Sequence, residues 1–128
     1  MKAELQVLVW ATLLAFVQML VAVQGAMMQV GLPALAGNRD GLPEIKGWAG
    51  RAARAHRNML ENLVLFAILV LTAVATGRSD PQIVLGAQIF LWARVAYAVI
   101  YVLGIAWLRT LAWAVSVVGL GIILSRLF

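Results

Sequence analysis

The sequence predicts an all-α integral membrane protein built on a bundle of four transmembrane helices. Three observations predict it. Of the 128 residues, 64% are hydrophobic and 12% charged, whereas a soluble domain averages about 45–50% apolar and about 25% charged. The mean hydropathy is +0.97. The apolar residues fall into four long runs separated by Gly, Pro or charge, over about residues 5–30, 55–77, 82–104 and 106–125. That length allows one four-helix transmembrane domain over residues 1–128, with short connections.

The net charge of +5 is not a nucleic-acid signature here. Arg39, Lys46, Arg51, Arg54 and Arg57 gather at one connection, as the positive-inside rule expects of a cytoplasmic loop. That places loop 31–50 in the cytoplasm and both termini on the opposite side. The chain has no Cys, so any thiol chemistry must use a ligand's sulfur.

Leu5 to Val30 is uncharged and longer than the apolar core of a signal peptide, about 7–15 residues, so it reads as the first span. Gln18, Gln24 and Gln29 are its strong polar groups and read as contacts within a bundle. Gly31 to Gly50 is the long connection, punctuated by seven Gly or Pro residues, with a turn at Asn38-Arg39-Asp40-Gly41. Lys46 and Trp48 look like interface anchors. The second span ends at Thr76-Gly77. Arg78-Ser79-Asp80-Pro81 reads as a tight polar turn, with Pro81 suited to the next helix's first turn. The third span carries Arg94 near its middle, followed by Tyr97 and Tyr101. Gly104 to Ala106 makes a short return, and the fourth span holds Arg109 and Thr110 in its first turns.

The densest polar run leads into the second span. Neither Gly nor Pro interrupts Arg51 to Thr76, which predicts one continuous helix. At about 100° per residue, Arg51, Arg54, Arg57, Asn58, Glu61 and Asn62 share an arc of roughly 140°, with His56 on the far side. Leu63 to Thr76 alone covers roughly 21 Å, too short for a core about 30 Å thick. Asn58, Glu61 and Asn62 are therefore drawn to membrane depth, where an unpaired ionisable group costs about 3 kcal/mol or more.

The second and third helices bring Arg54, Asn58 and Glu61 level with Tyr97 and Tyr101, and Arg109 starts the fourth helix on the same side. Several arginines with one acid and two phenols suit a ligand with several carboxylates and an ammonium group, since Arg grips carboxylates bidentately. The competing reading is an internal ion-pair network that only orders the bundle, for instance Arg94 with Glu61. His56 reads as structural or interfacial rather than catalytic, and Trp48, Trp107 and Trp113 as interface-belt residues. A small multidrug transporter also has four short spans, but relies on a membrane-embedded acid in its first helix, and Leu5 to Val30 has none.

These residues resemble the membrane-associated proteins in eicosanoid and glutathione metabolism. The family's second-helix pattern Arg-x-x-Arg-Ala-x-x-Asn-x-x-Glu stands here as Arg51, Arg54, Ala55, Asn58 and Glu61. The pattern Arg-x-x-Tyr/His-x-x-x-Tyr is matched by Arg94, Tyr97 and Tyr101. The resemblance implies a homotrimer of four-helix subunits surrounded by membrane lipid. It implies glutathione held between subunits by residues like Arg51, Arg54, Asn58, Glu61, Arg94, Tyr97 and Tyr101. Arg109 would be the catalytic residue, stabilising the thiolate that attacks a lipophilic electrophile or peroxide from the bilayer. The alternative is a non-catalytic trimeric membrane protein of the same kind, with a structural or lipid-binding polar cluster.

Overall fold

The computed structural model describes residues 1–78 and 80–128. Its described residues form five helices, α1 (Ala3–Val30), α2 (Leu32–Ala36), α3 (Gly47–Ala75), α4 (Pro81–Leu103) and α5 (Ala106–Ser125). All but α2 are long and apolar enough to cross a membrane. The protein is a multi-pass integral membrane protein.

α1 starts at Ala3 and so takes Glu4 into its first turn, where the carboxylate is buried. An acid is favoured there by the unpaired amides of a helix N-terminus. Helix one therefore carries an acid after all, at its end rather than at membrane depth. Beyond α1, Pro33 sits in the first turn of the short α2. The turn expected at 38–41 forms one residue on, closed by the Leu42 amide donating to the Arg39 carbonyl at 3.2 Å, with Arg39 at φ 64° and its Nε donating to the Leu35 carbonyl at 2.8 Å.

The helix holding the polar run begins at Gly47, well ahead of the expected span, so the connection is shorter than its glycines imply. Gly50 is not a breaker. It lies buried inside α3, where a Cβ would collide with the Ile45 carbonyl. Gly25 does the same for α1, because a Cβ there would come within 2.5 Å of the Ala49 Cβ. Gln29 closes this end. Its Nε2 donates to the Lys46 carbonyl at 2.7 Å, and its Oε1 accepts from the Lys46 amide at 2.9 Å.

The turn expected at 78–81 includes Ser79, which lies outside the described residues. On its far side Asp80 caps α4 by accepting from the Gln82 amide at 2.8 Å, with Pro81 in the first turn. Asp80 also pairs with Arg126 at 2.6 Å, tying the end of α5 to the start of α4. That hydrogen bond from Gln82, and then Arg126, hold the Asp80 carboxyl below the ordinary carboxylate range.

The core is built from every third or fourth residue of each long helix. Val7, Ala11 and Ala15 of α1 meet Met59, Phe66 and Val70 of α3, with Phe66 stacked on Phe90 of α4 at 4.2 Å. α4 and α5 pack closest, because Gly86 and Gly119 let their backbones meet. A Cβ on either would come within 2.7 Å of the other's carbonyl oxygen. This antiparallel pairing sets Arg109, at the start of α5, beside the tyrosines near the end of α4.

Candidate functional site

The site is assembled from three helices. α4 contributes Arg94, Tyr97 and Tyr101, all buried. Their spacing of three and four residues puts them on one face. The Arg94 guanidinium lies 4.1 Å from the Tyr97 ring centre, and the two tyrosines meet edge to face at 5.5 Å. From α5, the Arg109 guanidinium covers the Tyr101 ring at 4.3 Å. From α3, the Arg54 Nε donates to the Tyr101 hydroxyl at 3.3 Å. Asn58, Tyr97 and Arg109 then line an open-sided cavity of about 190 Å³ with Thr110 and Trp113.

Of the sequence-predicted residues, Asn58, Tyr97 and Arg109 thus share one cavity, while Tyr101, Arg54 and Arg94 join it by direct contact. Arg51 is drawn elsewhere. Its Nε donates at 2.9 Å to the Val102 carbonyl, one of the orphan acceptors at the end of α4. Its side chain also lies against Gly104, whose φ of 85° closes that helix. Trp113 lines the cavity instead of serving only as a belt aromatic. It lies four residues after Arg109, hence on the same face of α5, and that spacing was the available signal. Thr110, next to Arg109, was also not assigned. Asn62 is buried and donates to the Asn58 carbonyl at 2.8 Å and to its side-chain oxygen at 3.2 Å, which orients Asn58.

Arg94 and Glu61, two charges of the cluster, have no ion-pair partner among the described residues. Arg94 is 1% exposed, and all three guanidinium nitrogens lack a hydrogen-bond partner. The Arg94–Glu61 ion pair of the bundle-ordering reading does not form. Among the described residues the ion pair is that of Arg126 with Asp80. Stacking on Tyr97 offers about 2 kcal/mol when desolvated, less than the several kcal/mol needed to strip an ion of water. Glu61 has the complementary problem. It is exposed at the midpoint of α3, about 21 Å from either end. The helix is about 43 Å long and the core about 30 Å thick. An upright α3 therefore keeps Glu61 at least about 7 Å inside the core. Arg54 and Arg57 are exposed on the same arc.

A family model described as the MAPEG family matches residues 7–128. The chain belongs to the MAPEG family. As a MAPEG protein it is a membrane protein of the glutathione and eicosanoid metabolism kind. No curated protein and no solved structure matches the chain. The match covers nearly all of this MAPEG chain, including every residue of the cluster just described.

Proposed function

We propose that this MAPEG protein is a glutathione-dependent membrane transferase or peroxidase acting on lipophilic electrophiles, and that it works as a homotrimer. The observation that carries the reading is Arg94, a buried guanidinium stacked on Tyr97 with three unpartnered nitrogens. A cation kept in such a place calls for an anion that none of the described residues supplies. The donor set around it fits glutathione. Arg94 and Arg54 answer carboxylates, Glu61 answers the ammonium, and Asn58 and Tyr97 offer hydrogen bonds. Arg51 serves the end of α4.

The same charges support assembly. The cavity of about 190 Å³ in one chain is below the roughly 300–1,000 Å³ of ordinary ligand pockets. Arg54, Arg57 and Glu61 are exposed on one arc of α3, and a neighbouring subunit over that arc would enlarge the cavity and take these charges out of lipid. The basic residues at 39–57 support a cytoplasmic position for this end.

Glutathione supplies the sulfur nucleophile. Arg109, on the cavity, would set its positive charge against that sulfur and so favour the thiolate over the thiol. The Tyr101 ring beneath Arg109 keeps the guanidinium in place, and Arg54 fixes the Tyr101 hydroxyl. Trp113 forms an apolar wall on the cavity that would limit water there. A structural cluster is the second reading, favoured by Arg51 and Arg54, which make protein contacts at 2.9 and 3.3 Å. Equilibrium binding of glutathione to the purified protein in mild detergent separates the two. The enzyme reading expects saturable binding by wild type and at least a tenfold loss in Glu61→Gln, since the ammonium loses a buried charged partner, about 1.5–3 kcal/mol. Absence of binding by wild type leaves the structural cluster.

A further inference from the structure

An apolar groove runs between α1 and α4, with Ala52 and Ala55 of α3 in its wall. One part, of about 650 Å³, passes Gln6, Trp10, Leu14 and Trp92. It shares Leu14, Val17 and Val95 with a second part of about 350 Å³ that passes Gln18 and Ala98 and ends at Leu103. Gln18 is the one polar side chain of that second part. It is 9% exposed, and its Oε1 is buried without a hydrogen-bond partner. Gln88 at the other end is already engaged, accepting from the Trp92 Nε1 at 3.0 Å.

We propose that this groove binds a neutral single-chain lipid whose hydroxyl donates to Gln18, with its tail lying between α1 and α4. An unpartnered amide oxygen with no water to turn to is costly, and a hydroxyl donor removes the cost. Depth fits this occupant. Gln18 lines the same part of the groove as Ala98, which is about 7 Å along α4 from its end at Leu103. That is just inside the hydrocarbon boundary, where the head of a long-chain alcohol or monoacylglycerol rests. From Gln18 to Gln6 the groove follows α1 for about 18 Å, lined by aliphatic and indole surface that suits one tail.

The head is neutral because the side chains of that second part carry no cation. A second copy is not the occupant. Ala52 and Ala55, the α3 residues of the groove, lie roughly 100–180° around the helix from Arg54, Arg57 and Glu61. That charged arc is the face a neighbouring subunit must cover, whereas an apolar groove is already at ease against lipid.

The probe is 9,10-dibromooctadecanol, which quenches tryptophan on contact, titrated into the protein in nanodiscs. The structure predicts a saturable quenching component that is lost in the W10F/W92F double variant. Hexadecanol should displace the probe about fivefold better than hexadecyl methyl ether, which has the same tail and no donor. Gln18→Leu should keep the binding and lose that preference. Ala98→Phe, which fills the groove beside Gln18, should weaken both competitors. The proposal is overturned by absence of the saturable component, as when a partner subunit covers the groove. It is overturned equally by equal displacement in wild type, by a preference that survives in Gln18→Leu, or by Ala98→Phe binding both as wild type does.

Discussion

Gly119→Ala adds a single methyl group where α5 meets α4, and its effect can be worked from two distances. The new Cβ would stand 2.6 Å from the Gly86 carbonyl oxygen and 2.8 Å from the Phe90 amide nitrogen. Comfortable contact begins near 3.5 Å, so the helices must part by about 0.9 Å. Both obstructing atoms are backbone, and no rotamer change relieves them. Overpacking of this kind costs about 1–3 kcal/mol, here at the upper end. Against it stands the better helix propensity of Ala over Gly, about 1 kcal/mol. The net loss is about 2 kcal/mol, or a melting temperature lower by about 8 °C for a chain of this size. Gly121→Ala, two residues on, meets nothing within 4 Å. It keeps only the propensity gain and should melt about 4 °C higher. Thermal unfolding of both variants in the same detergent tests the pair. If the two shift in the same direction, close backbone approach is not what fixes α5 on α4. The same separation, carried to the start of α5, would draw Arg109 off the Tyr101 ring, so Gly119→Ala should also lower the proposed glutathione-dependent activity.

Three further outcomes follow. Arg51→Met should melt lower, because a charge-assisted hydrogen bond to the Val102 carbonyl worth about 1.5–3 kcal/mol is lost, while glutathione affinity stays within about twofold. A large affinity loss at unchanged melting temperature would return Arg51 to the ligand. Asp80 has its carboxyl pKa depressed by the Gln82 amide and by Arg126, so its contribution is fully present above the unfolded value of about 3.9 and lost as pH falls through the lower folded value. Asp80→Ala should therefore melt below wild type at neutral pH, with the gap narrowing in acid; a gap independent of pH would sink this reading. On the proposed cytoplasmic placement of loop 31–50, a C-terminal fusion to a reporter that fluoresces only in the cytoplasm should stay dark, and bright cells would reverse the topology.

The spanning helices were legible because the bilayer demands long apolar runs, and few other structures produce them. The partners around Tyr101 were legible from spacing: three and four residues on α4 place Arg94, Tyr97 and Tyr101 on one face. What spacing could not show was allegiance. Arg51 shares an arc with Arg54, yet one turn of α3 separates a guanidinium at a helix end from one at a tyrosine. Gly50 looked like a breaker because sequence does not distinguish a glycine that frees the chain from one that admits a neighbouring carbonyl. Trp113 was read from its residue type, an aromatic in a span, when its register with Arg109 carried the information. The fate of Arg94 lay outside reach altogether. Its partner choice depends on where α3 turns Glu61, and α3 turns it outward.

The most direct test of the central claim is the ultraviolet difference absorbance of thiolate when glutathione is added to the purified protein. It is read at a fixed pH for wild type and Arg109→Ala, with bound glutathione measured on the same samples. With Arg109 acting on the sulfur and the α3 and α4 side chains holding the rest, both proteins bind glutathione. Wild type shows thiolate and the variant shows little, with kcat reduced and KM nearly unchanged. A full thiolate signal and full turnover in Arg109→Ala, or no thiolate in a wild type saturated with glutathione, would contradict the account.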